Sequence, residues 1–134
     1  MMPALRFILR PESFCIHRLP PDAAVDAALL RSVPWVSVTR TPDETSIVAP
    51  EGLELGSADR EAGWSCLQIS GTLDLGMVGI VAGISKILAE EGIPIFTIST
   101  YNTDYIFVRT GEIAAATRAL EAAGHVVAAA DSRP

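Results

Sequence analysis

Lysine is almost absent from this sequence: Lys86 is the only one, and lysine and arginine together number 10 against 16 aspartates and glutamates. The net charge is therefore −6. Proteins that bind nucleic acid usually present a basic face that neutralises phosphates. The sequence offers no such face, so we expect no nucleic-acid partner. The same charge balance argues against docking on anionic lipid.

The sequence also lacks an apolar run of the roughly 20 residues that a membrane-spanning helix needs. Arginines interrupt the apolar N-terminal segment, which is therefore unlike a signal peptide. We expect a cytoplasmic protein without a membrane partner. The two cysteines, Cys15 and Cys66, fall inside predicted strands, which favours buried free thiols in a reducing compartment.

Signatures of common enzymes are missing as well. There is no P-loop, no G-x-G-x-x-G and no G-x-S-x-G motif, and the two cysteines and two histidines have no metal-ligand spacing. Cys15 and His17 stand two residues apart, as a nucleophile and its base could, but nothing else points to catalysis. We predict no enzyme activity, no catalytic residue, no cofactor and no metal. We expect His17 at a surface or interface, and an exposed His125.

Hydrophobic residues make up 49% of the 134 residues, enough to bury a core in one compact domain or two small fused units. The C-terminal half shows alternating strand and helix patterns. Apolar residues recur at helical spacing along "VGIVAGISKILAEEG", and Gly92 can close that helix. The continuous apolar character of "IPIFTIS" indicates a central strand. The predicted order is β-α-β-β-α-β, a ferredoxin-like α+β unit with antiparallel strands and helices on one face.

The N-terminal half repeats part of this pattern. Shifted by 60 positions, "VPWVSVTRTPDETSIV" lies over "IPIFTISTYNTDYIFV" without a gap, and "LRFILR" lies over "SCLQIS". "FCIHRL" departs from the order of the second copy, and no second amphipathic helix follows Val48. We therefore predict two tandem units, residues 1–60 and 61–134, the first truncated or remodelled.

The stretch "LQISGTLDLGMVGIVAGISKILAEEGIPIFTISTYNTDYIFV" resembles an ACT domain. The resemblance lies in a strand, a loop that ends before Val78-Gly79-Ile80, a helix with Leu88-Ala89, and a strand that ends in Ile98-Ser99-Thr100. It is similar to aspartate kinase regulatory domains, to small stand-alone bacterial proteins with two ACT units, and to CASTOR-type arginine sensors. The resemblance implies non-catalytic binding of an amino acid at a seam between units, and a homodimer.

In the family, the ligand touches the loop between the first strand and first helix, and the turn after the next strand. The resemblance carries these two segments to Thr72, Leu73, Asp74, Leu75, Gly76, Met77, Val78, Gly79 and Ile80, and to Ser99, Thr100, Tyr101, Asn102, Thr103 and Asp104.

The chemistry of these residues suits a free amino acid. A helix that begins near Met77–Gly79 offers free amides and a positive dipole end to a carboxylate. Asp74 and Asp104 are acceptors for an ammonium group or a cationic side chain, and Asn102 offers both donors and acceptors. The two acids weakly favour a cationic ligand.

Other interpretations remain open from the sequence. Asn102, Thr103 and Asp104 are also ordinary hairpin residues, and Asp74 is also an ordinary acid at a helix start. The protein could be an ACT-like interaction or structural domain that has lost its ligand. An RNA-binding ferredoxin-like domain would need basic residues and exposed aromatics that the sequence lacks.

Overall fold

The computed structural model describes residues 3–71 and 78–130. Its strands, numbered in chain order, are β1 (Arg6–Leu9), β2 (Phe14–Leu19), β3 (Ser37–Arg40), β4 (Thr45–Pro50), β5 (Asp59–Ile69), β6 (Ile95–Ser99), β7 (Asp104–Arg109) and β8 (Val126–Ala129). Its helices are α1 (Ala27–Arg31), α2 (Ile80–Glu90) and α3 (Ile113–Ala122), the last preceded by a 3-10 turn, Thr110–Glu112. Among the described residues, no helix is long and apolar enough to cross a membrane.

The contacts divide the chain into two compact units. Unit 1 comprises Met1–Pro11 and Ser65–Pro134, and unit 2 comprises Glu12–Trp64. This division differs from the boundary expected near residue 60, because the N-terminal strand β1 belongs with the C-terminal elements. Strand β5 carries residues of both units.

Unit 1 is a mixed α+β unit with the strand order β6-β7-β5-β1-β8. Strand β1 runs antiparallel to β5 but parallel to β8, so the expectation of purely antiparallel sheets is wrong for this pair. The alignment of "LRFILR" with the first strand of the second copy is also wrong, because β1 adds an extra strand to that copy's own sheet. Pairs of such large sequence separation leave no local signal.

Helices α2 and α3 bury their apolar faces in one cluster with strands of unit 1. Ile84 and Leu88 of α2 and Leu120 of α3 are fully buried there. Within each helix, apolar residues three and four positions apart lie on one face, and that face is turned to the core. Gly92, with φ +71°, ends α2 in the left-handed conformation that glycine adopts at little cost. The two helices and their ends are as the sequence predicts.

Strand β6 is wrongly predicted to be central. Within the described residues it pairs with β7 alone, so it forms an edge of the unit 1 sheet. Its apolar side chains are partly buried by other means: Phe96 stacks on Phe107 with ring centroids 4.6 Å apart.

Unit 2 has the strand order β3-β4-β2-β5. Ile47, Ala49 and Leu53 are buried at its centre, and Leu29 of the short helix α1 packs against them. Strand β2 directly precedes the loop that leads to α1, as β5 precedes the loop that leads to α2. The order β2-α1-β3-β4 in unit 2 therefore matches β5-α2-β6-β7 in unit 1, and no helix follows β4 before β5.

Candidate functional site

The polar turn after β6 is closed by its own threonines. The amide of Thr100 donates to the carbonyl of Thr103 over 2.9 Å. The Thr100 hydroxyl donates to the same carbonyl over 3.2 Å and accepts from the Thr103 amide over 3.4 Å. Tyr101 and Asn102, at the tip of the turn, are exposed, Tyr101 by 84%. Thr100 and Thr103 thus stabilise the turn itself, and the side chains of Tyr101 and Asn102 at its tip are exposed to solvent.

A second hydrogen bond ties this turn to the end of β5. The side chain of Thr103 is buried, and its hydroxyl donates to the main-chain carbonyl of Ile69 over 2.8 Å. Because Ile69 is the last residue of β5, the turn is fixed beside the start of the loop that leads to α2. The structure therefore places the turn beside the end of β5, a few residues before the predicted ligand loop, which begins at Thr72 and lies outside the described residues as far as Met77.

Ser99 and Asp104 face each other across the last pair of the β6–β7 ladder. The Ser99 hydroxyl donates to Oδ1 of Asp104 over 2.5 Å. Asp104 is half-buried, whereas Ser99 and Thr100 are exposed. The bond orients the carboxylate, a group that can accept hydrogen bonds from a cation.

The start of α2 lacks a capping side chain. Gly79 is its N-cap residue, with φ +84°, and makes no side-chain cap hydrogen bond. Val78 is 93% exposed, and Ile80 is buried in the core. The N-cap position therefore does not supply the side-chain acceptor that serine or aspartate would offer to the first-turn amides of α2, and a helix start of this kind suits an anionic group.

Part of the predicted site cannot be placed. Six loop residues lie outside the described residues: Thr72, Leu73, Asp74, Leu75, Gly76 and Met77.

The hairpin of unit 2 reproduces the hairpin of unit 1. Thr41 stands 59 residues before Thr100, and its amide and hydroxyl bond to Glu44 as those of Thr100 bond to Thr103. Strands β3 and β4 pair in the same register as β6 and β7 at this offset. The sequence comparison used an offset of 60 and missed the equivalence, although the two threonines were a usable signal.

Histidine and cysteine side chains do not assemble a metal site in the part of the chain that the structure describes. No group of three or more histidine, cysteine, aspartate or glutamate side chains could hold a metal ion there. Cys15 and Cys66 are buried free thiols, as predicted. Burial raises the pKa of the Cys15 thiol, which disfavours the reactive thiolate.

Both histidines are buried, contrary to the expectation from sequence. His17 is 2% exposed and hydrogen-bonds through Nδ1 to the Ser57 hydroxyl over 2.6 Å. His125 accepts the Leu5 amide at Nδ1 over 2.9 Å, and its ring packs edge-on against Phe7. The sequence could not show this, because the partners are 40 and 120 residues away.

Comparisons with known proteins agree with this architecture. The family model described as ACT domain matches residues 59–122. The human putative protein CASTOR3P is 33% identical over 109 residues, covering 69% of this chain and 67% of that protein. The crystal structure of protein Atu0741 from Agobacterium tumefaciens has a TM-score of 0.87 and 29% identity, and the match covers 99% of this chain and 98% of the other.

A more distant structure shows the same fold. The ligand-free regulatory subunit of aspartate kinase from Thermus thermophilus has a TM-score of 0.60 at 15% identity, covering 84% of this chain and 93% of that subunit. Together with the family match and the human relative, the βαββαβ order of unit 1 leads to one conclusion: this chain belongs to the ACT-domain family.

Proposed function

We propose that this protein is a non-catalytic regulatory module that binds a free amino acid at the α2 end of unit 1. The observation that carries the proposal is the hydrogen bond from Thr103 to Ile69. It holds the polar turn beside the end of β5, the strand that precedes the predicted ligand loop and α2. A carboxylate acceptor and the amides at the start of a helix are what the two charged ends of an amino acid require.

Each group has a role in this proposal. The amides at the start of α2 bind the ligand carboxylate, and Asp104 binds an ammonium or other cationic group. Tyr101 and Asn102 close over the ligand from the exposed tip of the turn. Asp74, Leu75, Gly76 and Met77 complete the loop, and Ser99 orients the carboxylate of Asp104. Two acids in these segments weakly favour a cationic amino acid.

Regulation follows from linkage. A ligand that binds one arrangement of a protein more tightly than another shifts the population towards the first. Within the described residues β6 pairs with β7 alone, so its outer side is a place where a second chain can add its own strand. We infer that the protein works as a homodimer in the cytoplasm and passes the ligand signal to a partner protein.

A second candidate function is an interaction domain without a ligand. The observation that favours it is the internal satisfaction of the turn, in which Thr100 and Thr103 bond to each other and Ser99 already engages Asp104. In that case the polar residues serve only to shape the hairpin.

A thermal-shift screen against the twenty amino acids, each at millimolar concentration, separates the two. A ligand that binds only the folded protein stabilises it by about 2.7 kcal/mol at a hundredfold excess over its dissociation constant. We expect one hit in the wild type, lost in Asp104→Ala and kept in Asp43→Ala, a control acid in the turn of unit 2. A flat screen with an intact dimer supports the interaction domain instead.

A further inference from the structure

Arg40 and Thr45 flank the turn of unit 2 as Ser99 and Asp104 flank the turn of unit 1. Each pair is the last one of its two-stranded ladder, and its two residues flank a four-residue turn. The two turns have the same hydrogen bonds. The two positions are therefore structurally equivalent, but their chemistry differs. In unit 1 the hydroxyl of Ser99 lies opposite the carboxylate of Asp104, whereas in unit 2 the permanently charged Arg40 lies opposite the hydroxyl of Thr45.

The guanidinium of Arg40 joins the turn to the loop between β2 and α1. Nη1 donates to the main-chain carbonyl of Pro21, and also to the Thr45 hydroxyl over 2.9 Å. Nη2 donates to the main-chain carbonyl of Ala23 over 2.6 Å. Pro21 and Ala23 lie in the unit 2 counterpart of the loop that leads to α2 in unit 1. Arg40 thus bridges the same two segments that a ligand would bridge in unit 1.

Two of the three acceptors of the Arg40 guanidinium are also connected to each other by a hydrogen bond that does not involve Arg40. Thr45 is fully buried, and its hydroxyl also donates to the carbonyl of Pro21 over 3.3 Å. All three acceptors of the guanidinium are neutral oxygens, so they match the planar fork of donors without a carboxylate. The hydrogen bond from Thr45 to Pro21 holds these two acceptors together independently of the arginine side chain.

We propose that unit 2 contains a binding site for a guanidinium cation, made by the carbonyls of Pro21 and Ala23 and the hydroxyl of Thr45, which the chain fills with its own Arg40. Unit 2 is then closed by an internal ligand, and it takes up an external guanidinium only when the Arg40 side chain is shortened. This inference does not require unit 1 to bind an amino acid, so the two proposals fail independently.

Chemical rescue tests the proposal. We expect Arg40→Ala to lower the melting temperature, and methylguanidinium at 1–20 mM, roughly the range of a weak fragment ligand, to restore it in a saturable manner by about 2 °C or more. Wild type should show no such rise, because its site is filled. Arg18→Ala is the matched control, since Arg18 is an exposed arginine of the same unit that pairs with Asp59. The rescue should be lost in the double variant Arg40→Ala, Thr45→Val.

A direct measurement on the wild-type protein covers the case in which Arg40→Ala does not fold. Three bonds to fixed oxygens should slow the rotation of the Arg40 guanidinium, so that nuclear magnetic resonance resolves its separate Nη signals, while those of Arg18 are averaged. Averaged Arg40 signals, or an equal effect of methylguanidinium on wild type and both single variants, would overturn the proposal.

Discussion

The hydroxyl of Thr103 and the carbonyl of Ile69 join the β6–β7 turn to the end of β5 across 34 positions of sequence. Thr103 is almost fully buried, so neither group can exchange this bond for one to water. The bond fixes the distance between two segments that carry the proposed ligand groups. Its removal should therefore affect both stability and binding.

We expect Thr103→Val to lower the free energy of unfolding by about 1–3 kcal/mol, because the isosteric valine leaves the buried carbonyl of Ile69 without its donor. Equilibrium denaturation with urea measures the change. Thr110→Val is a suitable control, since Thr110 is exposed although it also bonds to a side chain, that of Ser65. Equal decreases in the free energy of unfolding of the two variants would show that the buried Thr103 bond contributes no more to stability than the Thr110 bond.

His125 should be replaceable by asparagine but not by leucine. Its Nδ1 accepts the buried amide of Leu5, next to the start of β1. Asparagine places an oxygen close to the position of Nδ1, whereas leucine leaves the amide without an acceptor. We expect His125→Leu to cost about 1–3 kcal/mol and His125→Asn clearly less. Hydrogen exchange of the Leu5 amide gives a local readout; the interpretation fails if that amide is equally protected in both variants.

Stability should fall on mild acidification because of His17. Burial, followed by the nearby charge of Arg60, holds the pKa of His17 below its ordinary value of 6.5. Above that value both the folded and the unfolded chain carry a neutral His17, so pH has no effect through this group. As the pH falls below it, the unfolded chain binds a proton that the folded chain resists, and stability is lost. In His17→Gln the slope of stability against pH between 7 and 5 should be smaller; parallel curves for the two proteins would contradict the assignment.

Gly92 and Gly52 make a matched pair for the left-handed helix end. Gly92 has a φ of +71°, while Gly52 does not have a positive φ, and neither has a neighbour that an added Cβ would meet. We expect Gly92→Ala to cost about 1–2 kcal/mol from backbone strain alone, and Gly52→Ala to be close to neutral. Thermal unfolding of both variants checks this, and similar melting temperatures would contradict a cost from the left-handed backbone at Gly92.

The predictable parts of the fold are those with strong local patterns. Helix α2 and its glycine end follow from the spacing of Ile80, Ile84 and Leu88 and from Gly92. The β6–β7 hairpin follows from two apolar runs on either side of a polar turn. The same patterns carried the resemblance to the ACT-domain family, which the comparisons confirm.

The rest depends on partners far away in sequence. Nothing near Arg6–Leu9 indicates that this strand lies between β5 and β8. The apolar run of β6 was interpreted as central, but an edge strand can be equally apolar when a neighbour such as Phe107 stacks on it. The sequence does not reveal the role of Arg40, because two of its three acceptors are main-chain carbonyls that no side-chain pattern indicates.

The parallel pairing of Arg6 with Val126 limits the order in which the two units can fold during synthesis. Unit 2 is continuous, so all of its residues are available once position 64 has left the ribosome. Strand β1, at Arg6–Leu9, is made well before its partner β8, at Val126–Ala129. Until then β1 has only β5 to pair with, and its other edge is open. Domains generally fold during synthesis as their residues emerge. For this protein, unit 2 can form early, while the sheet of unit 1 is complete only after β8 has emerged.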